Sequence, residues 1–436
     1  FTHSTTLFPS TPLSLSFKNA PLELQNINTR LEYDATHDDL TGLANRTQFM
    51  RALKQSVAKL ASDVDIGLCF FFIDFDRFKQ INDRFGHLIG DKVLIQVANR
   101  LSALVGEATC LARLGGDEFV LLMGQLDEFE AVKLAQRITD AFACPIRIRD
   151  TEISISASVG IVLADGAYQC ADEVVRDADI AMYRAKETGN CYQLFDEDMR
   201  TAHLEKIELE RELEIAVREK QFRINYEPIV DTTESSIFSI ESLVRWVHPE
   251  KGIISPGRFI PLAEELGLVI DIDRIVFQKT CEQFRQWRAH GIASPHQKFN
   301  VNLASGQLEK SDILPFLLSA LDVSAVSPHD VVLEITESYL LADSGLVMKN
   351  LNEMNELGFS IFVDDFGTGY SSLSYLANYP IHGIKIDRSF VRDLEESPEN
   401  KELIRSIIAM AEALHLKVVT EGVETREQLQ IMTELG

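Results

Sequence analysis

The sequence predicts two domains of mixed helix and strand in tandem: an α/β or α+β domain, then a (β/α)8-type barrel. Three observations carry this. The 436 residues exceed one ordinary domain. From residue 37 to about 195, short apolar runs of strand type alternate with helical periods. Beyond residue 220 the alternation continues to the end as repeated strand–helix units, the arrangement that closes a barrel. A hydrophobic share of 45% with 25% charged residues suits soluble domains with large cores.

The elements follow in order. Residues 1–21, rich in Ser, Thr and Pro, read as a linker. Leu24, Ile27 and Leu31 recur at coiled-coil spacing, as a short stalk or a frayed amphipathic helix would show, so 1–36 is assigned as linker and stalk. Residues 37–196 form the first domain. There Asn45 can cap a helix whose apolar face is Phe49, Leu53, Val57 and Leu60. Gly67–Ile73 reads as a buried strand, because its run is almost wholly apolar. Leu111–Arg113 and Phe119–Met123 read as arms of a hairpin around two glycines. Ile153–Leu163 reads as one strand and Ala171–Lys186 as a helix. A connecting segment, 197–220, holds the charged helix Leu204–Lys220, with Leu209, Leu213, Ala216 and Val217 on one face. Over 221–436, strands are expected at 223–230, 239–246, 299–303, 331–335, 360–363, 383–386 and 417–420. Helices are expected between them at 273–289, 345–357 and 400–414.

Charge narrows the function. The formal net charge is −25. Sequence-independent nucleic-acid binding needs Lys and Arg in excess, so it is excluded. An acidic protein that handles phosphates must recruit cations, and divalent metal is expected. The six cysteines are scattered without a CxxC pair, which suggests neither disulfides nor structural zinc. The longest apolar run, Leu68–Ile73, is too short to span a bilayer. Reduced thiols point to a cytoplasmic protein, and the chain begins at Phe1, so it is expected to be a fragment. An upstream sensor or membrane anchor would not be visible.

In the first half, Gly115-Gly116-Asp117-Glu118-Phe119 places two glycines before two carboxylates. Glycines let the backbone approach phosphate, and acids can hold the accompanying Mg²⁺. Asp74 closes the apolar strand, and Phe78–Asp83, Phe85-Gly86-His87 and Gly90-Asp91 follow. One acid after a strand is ordinarily a turn former. Jointly, Asp74 and Asp117 can converge on one ion, Lys79 can neutralise phosphate, and Asn82 with Asp91 can read a base edge.

These residues, with Asp38–Arg46, resemble the GGDEF domain of diguanylate cyclases over about residues 37–196. The resemblance implies a palm-like domain, a mostly antiparallel sheet with flanking helices, that condenses two GTP molecules into cyclic di-GMP as a homodimer. It assigns Asp74 and Asp117 to one or two Mg²⁺ or Mn²⁺ ions. It gives Glu118 to the catalytic acidic site, Gly115 and Gly116 to the phosphates, Asn82 and Asp91 to guanine, and Lys79 and Lys186 to phosphate. The family's RxxD inhibition motif is replaced by Gly106-Glu107-Ala108-Thr109, so feedback through it is not expected. Asn190-Cys191-Tyr192 stands where the family usually has a basic residue.

In the second half, acids close successive apolar runs. Glu241 and Arg245 share a strand, and Asn302, Glu334, Asp364-Asp365, Lys385 and Glu421 sit at expected strand ends. Barrel sites gather at carboxyl ends of strands, and oxygen ligands for two cations suit phosphodiester hydrolysis. With Ile384 and Ile386 beside it, Lys385 reads equally as an exposed strand-end lysine or as an inward, pore-facing one.

These motifs resemble the EAL family of cyclic di-GMP phosphodiesterases from about Leu204 to the end. The resemblance implies hydrolysis of cyclic di-GMP to linear pGpG with two Mg²⁺ or Mn²⁺ ions. Glu241, Asn302, Glu334 and Asp364 would bind one ion, and Asp364 with Asp365 the second. Lys385 and Glu421 would act on the attacking water, and Glu337 would steady the Asp364–Tyr370 loop. Arg245, Glu227 and Asp387 would meet substrate. Ser242 replaces the signature alanine and Glu227 the usual glutamine. The chain stops at Gly436 before the family's last strand, so an incomplete barrel with an exposed edge is expected. Cyclic di-GMP turnover with net phosphodiesterase activity is the favoured expectation. A net cyclase with a weak EAL half, or an inactive cyclic di-GMP receptor or scaffold, are the alternatives.

Overall fold

A computed structural model describes residues 33–60, 67–106, 110–189, 191–232, 234, 236–294, 296–337, 345–367, 376 and 378–436. The expected linker, the Leu24–Leu31 stalk, most of the Gly106–Thr109 window and Asn190 lie outside the described residues. The chain divides into two compact units between Lys206 and Ile207.

The first unit is built on a five-stranded sheet in the order β2-β3-β1-β6-β7. Its strands are β1 (Leu68–Phe75), β2 (Cys110–Gly115), β3 (Glu118–Met123), β6 (Ala157–Ala164) and β7 (Tyr192–Leu194). β1 runs antiparallel to both β3 and β6, and only β6–β7 is parallel. β1 is buried at all eight positions, because helices cover both faces. Cys69, Phe71, Ile73 and Phe75 pack in one core with residues of helices His87–Val105 and Glu128–Ala143. Phe70 and Phe72 pack in another with helices Arg46–Leu60 and Ala171–Thr188. That two-sided burial is why the run reads as continuously apolar.

Asn45 caps the first of these helices, its side-chain oxygen accepting from Thr47 N at 3.0 Å and Gln48 N at 3.1 Å. The expected single strand Ile153–Leu163 is instead two. β5 (Thr151–Ile153) pairs with β4 (Ile146–Ile148) in a separate ribbon, and β6 starts at Ala157. Between them Ser156 Oγ turns to Asp76, donating at 2.6 Å, beside Ser158 Oγ at 2.8 Å. These bonds fasten the linkage to the end of β1, which apolar periodicity alone could not reveal.

Helix Glu197–Glu219 crosses the division between units. Its early residue Arg200 pairs with Asp177, which is fully buried. Its later residues Leu209, Leu213 and Ala216 belong to the core of the second unit.

The second unit is an eight-stranded curled sheet, β10-β9-β11-β12-β13-β14-β15, with β8 paired to β9. The strands are β8 (Phe222–Asp231), β9 (Ser236–His248), β10 (Gly252–Ile254), β11 (Lys298–Asn302), β12 (Val331–Thr336), β13 (Ser360–Phe366), β14 (Gly383–Ile386) and β15 (Lys417–Thr420). From β9 through β15 the main path is parallel. The strand–helix repeat expected from residue 221 is preceded by an antiparallel β8–β9 hairpin. Residues of β11–β14 at 299, 301, 331, 333, 335, 361, 363, 384 and 386 belong to the helix-packed core. The alternate positions, including Asn300, Glu334, Asp364 and Lys385, face the opposite, inner side. Among the described residues β8 and β15 do not pair, so the sheet is not closed.

Candidate functional site

Lys385, the third residue of β14, occupies the centre of the inner face, its side chain only 1% exposed. Its Nζ lies 3.2 Å from Glu241 Oε1, 3.0 Å from Glu334 Oε2, 3.2 Å from Asp364 Oδ1 and 2.7 Å from Glu421 Oε1. Three strands, β9, β12 and β13, and the residue that follows β15 thus deliver four carboxylates to one ammonium. Glu334, on β12, is fully buried and accepts from Asn300 Nδ2 at 2.7 Å. Glu241 sits mid-strand in β9, opposite Asn300, rather than at a strand end. Asn302 Nδ2 reaches Glu241 Oε1 at 3.4 Å.

In a regular strand adjacent side chains face opposite ways. The register slips between Val363 and Phe366, and Asp365 has φ 52°. An acid tolerates this left-handed conformation better than most residues. The irregularity lets both carboxylates serve one site, a common use of such bulges. The loop is tied from below: Glu337, itself buried, accepts from Gly367 N at 2.9 Å. Tyr370 lies outside the described residues.

The electrostatics are those of an excess of acid. Burial, reinforced by the charges of Glu241 and Asp364, pushes Glu334 up to about 8 although Lys385 opposes it. Burial likewise raises Asp365, helped by Asp364 and Asp387, and raises Glu421 against Lys385. Burial disfavours charge on Lys385, but Glu334, Asp364, Glu241 and Glu421 outweigh it and raise its pKa. Carboxylate oxygens of Glu241, Glu334 and Asp364 lie within 4.8 Å of one another, as do those of Asp364, Asp365 and Glu421. All donors are hard oxygens, so the residues fit Mg²⁺ or Mn²⁺.

The remaining expected residues lie around this centre. Arg245 follows Glu241 by four positions on β9, so the two share a face, and its Nη1 donates to Val244 O at 2.8 Å. Glu227 is exposed and is the register partner of Glu241. Asp387 caps helix Arg388–Arg392, accepting from Ser389 N at 2.9 Å. Burial would raise its pKa, but this bond and the Arg388 charge lower it.

In the first unit Asp74, the penultimate residue of β1, lies directly across from Glu118 on β3. Lys186 Nζ reaches Asp74 Oδ1 at 2.5 Å. Burial raises Asp74 despite Lys186, with the charges of Asp117 and Asp76 adding to it. Glu118 is raised by burial and by Asp74, Asp179 and Asp117, against Arg46. The turn between the strands uses Gly116 at φ 51°, whose carbonyl accepts from Arg113 Nε at 3.0 Å and Nη2 at 2.8 Å. Arg113 Nη1 is held by Asp38 at 3.0 Å, and Asp38 also accepts from Thr41 Oγ1 at 2.6 Å. Asn82 lies over Gly90, where a Cβ would come within 2.0 Å of Asn82 Oδ1. Gly115, Lys79 and Asp91 are exposed. The two lysines therefore differ: Lys186 is drawn into the acidic cluster, while Lys79 stands in solvent.

Sequence reasoning passed over Asn300, Asp179 and Arg46. Asn300 sits between Phe299 and Val301 in a buried strand, and an amide flanked by apolar residues was its only signal. Asp179 and Arg46 come from helices whose approach to Glu118 is a tertiary fact.

A family model described as "EAL domain" matches residues 210–436, and one described as "Diguanylate cyclase, GGDEF domain" matches residues 35–191. Among curated proteins the chain is similar to the bifunctional diguanylate cyclase/cyclic di-GMP phosphodiesterase MucR of Pseudomonas aeruginosa. The two are 38% identical over 416 residues, 95% of this chain and 60% of MucR. It is also similar to the cyclic di-GMP phosphodiesterase PdeR of Escherichia coli, 36% identical over 415 residues, 95% of this chain and 62% of PdeR. The chain thus spans about three-fifths of the length of these relatives. Among solved structures it resembles the MucR phosphodiesterase in its c-di-GMP complex, with TM-score 0.50 and 35% identity over 52% of this chain and 92% of that one. The S helix-GGDEF-EAL structure of Vibrio cholerae LapD matches with TM-score 0.58 at 19% identity, over 96% and 97% of the two chains, and shows the shared fold. Among the described residues no helix is long and apolar enough to cross a membrane.

Proposed function

We propose a function for this chain, which belongs to the GGDEF–EAL tandem family: its second unit hydrolyses cyclic di-GMP to linear pGpG. The observation that carries the reading is the convergence of Glu241, Glu334, Asp364 and Glu421 on Lys385. Glu241, Asn302, Glu334 and Asp364 would hold one divalent cation, and Asp364 with Asp365 a second. Bound there, two cations supply Lewis acidity toward phosphate and acidify water.

The chain's own groups do the rest. Lys385, kept protonated by its four acids, donates hydrogen bonds toward the attacking water and developing phosphate charge. Glu421, the most exposed of the four at 28%, is placed to accept the water's proton. Glu337 fixes Gly367 and with it the position of Asp364 and Asp365. Arg245 and Asp387 meet the substrate from the rim. Water adds to phosphorus, the P–O3′ bond breaks, and the 3′ oxygen leaves with a proton, giving a linear dinucleotide with a 5′-phosphate.

For the first unit, the alignment of Asp74 with Glu118 beside Lys186 supports GTP binding with Mg²⁺ or Mn²⁺ on Asp74 and Asp117. Synthesis of cyclic di-GMP there would require a homodimer. The competing readings are a net cyclase and an inactive receptor. The purified protein should be incubated separately with GTP and with cyclic di-GMP plus Mg²⁺, and the products chromatographed. Production of pGpG that disappears in Glu241→Ala supports the proposal. Cyclic di-GMP made from GTP and lost in Asp117→Ala supports the cyclase, and tight binding without turnover supports the receptor.

A further inference from the structure

At the amino-terminal ends of the same parallel strands, the inner face carries the opposite charge. Lys298 opens β11, and its Nζ crosses beneath β12 to donate to Ser360 Oγ at 2.9 Å on β13. His382 precedes β14 and is latched to the start of β13. Its N donates to Ile361 O at 2.8 Å, and its Nδ1 accepts from Ile361 N at 3.2 Å. That leaves the proton of the neutral ring on Nε2, a donor with no partner among the described residues. Lys417 opens β15, its N donating to His382 O at 3.0 Å. Its ammonium lies 4.1 Å from the ring centroid of Phe238 on β9. The next residue, Ser239, is the register partner of Lys298. It shares the face of Glu241, two positions on.

Two features of this ring of donors are unexplained by the fold. Lys298 is only partly exposed, yet among the described residues no carboxylate lies within ion-pair distance of it or of Lys417. Asp330, which offsets Lys298 at longer range, is clamped by Arg288 at 2.7 and 2.8 Å. Burial lowers the pKa of Lys298 and the neighbouring Lys417 lowers it further, while burial and Lys298 lower His382. A half-buried ammonium such as Lys298 with no counter-charge beside it is costly, whereas Lys417 is exposed. Independently, Ser239 is fully buried and its Oγ has no hydrogen-bond partner. An orphaned buried hydroxyl beside unneutralised cations is what a missing anionic ligand leaves behind.

We propose that this end of the sheet binds a small phosphate-class oxyanion, held by Lys298, Lys417, His382 Nε2–H and the hydroxyls of Ser239 and Ser360. The site is separate from the acidic centre: Lys298 and Asn302 stand at opposite ends of β11, roughly 13 Å apart at a strand's usual rise. It does not depend on the phosphodiesterase reading. The anion is either free phosphate or the 5′-phosphate of a nucleotide, and the two differ in whether a nucleoside adds affinity.

The test is calorimetric titration of the whole chain in EDTA with inorganic phosphate and, separately, with GMP. EDTA keeps divalent cations from bridging anions to the acidic centre. Saturable millimolar or tighter phosphate binding, weakened at least tenfold in Lys298→Met and in Lys417→Met but unchanged in Lys349→Met, an exposed helix lysine outside both sites, is the expected result. Tighter binding of GMP assigns the nucleotide, and equal binding assigns free phosphate. Ser239→Ala separates the proposal from a purely structural role, since it should weaken phosphate binding while leaving the ligand-free melting temperature unchanged or higher. No saturable binding below 10 mM phosphate, or binding indifferent to both lysine variants, overturns the proposal.

Discussion

Lys385→Met replaces the central ammonium with an apolar side chain of similar length, so it removes charge with little change in volume. Four carboxylate oxygens at 2.7–3.2 Å lose the cation that, among the described residues, they share. Removing one partner of a buried ion pair costs about 3–5 kcal/mol, because the charge left behind is uncompensated. The carboxylates can partly escape by taking up protons, and Glu334, pushed to about 8, already does so near neutrality. Without Lys385, which opposes the rise, Glu334 goes higher still, so the cost is larger at pH 8.5 than at pH 5.5. For a unit of this size each kcal/mol lowers the melting temperature by roughly 2–4 °C, so a drop of about 6–20 °C is expected at pH 8.5. Both tryptophans, Trp246 and Trp287, lie in the second unit, so their fluorescence reports its melting. The melts are run in EDTA, then repeated with Mn²⁺, whose charge should restore much of the loss. A variant as stable as the parent in EDTA at pH 8.5 would refute the claim that these acids depend on the ammonium.

Two other perturbations follow from the packing and the charges. Gly160→Ala in β6 would put a Cβ 2.0 Å from Ala178 O and 2.3 Å from Met182 N, both backbone of helix Ala171–Thr188. Overpacking costs typically 1–3 kcal/mol, and unyielding backbone puts this variant at or above that range. Circular dichroism should show an earlier transition while the tryptophan transition stays put; an unshifted melt would count against the close approach. The second dependence is on pH in EDTA. Burial raises Glu334 to about 8 and Asp273 to about 7, although Ala304 N donates to Asp273 at 2.6 Å. A carboxylate raised on folding contributes stability that is complete below its unfolded value and is lost as pH rises through the folded one. The metal-free second unit should thus melt progressively lower from pH 5.5 to 8.5, with a flatter profile in Glu334→Gln. A melting temperature that climbs over that window would contradict both shifts.

Much of the architecture was legible because burial leaves a pattern. β1 reads as a strand since helices cover both its faces. β12, β13 and β14 read as strands that end in function, because their apolar runs stop at Glu334, Asp364 and Lys385. The identity of the acids was legible for the same reason: a carboxylate or lysine in such a run must be matched by something. What matched it was not. Asn300 meets Glu334 across 34 residues of sequence, and no local period encodes that pairing. The slip at Asp364-Asp365 is likewise a property of two strands held in register, not of the dipeptide. The break at residues 154–156 was hidden because Ile153 and Ile155 continue an apolar alternation, while the serine bonds to Asp76 that interrupt it come from a distant strand. The oppositely charged end of the sheet escaped because Lys298 and Lys417 are ordinary surface lysines until the strands bring them together.

The central claim is that acids from separate strands form one cage for two cations. Titrating the chain with Mn²⁺ at pH 8, by calorimetry or by loss of the free-ion electron paramagnetic resonance signal, tests it most directly. Asp364 belongs to both oxygen clusters, so Asp364→Asn should remove two bound ions and leave any site on the first unit intact. An unchanged number of bound ions in Asp364→Asn would contradict the account.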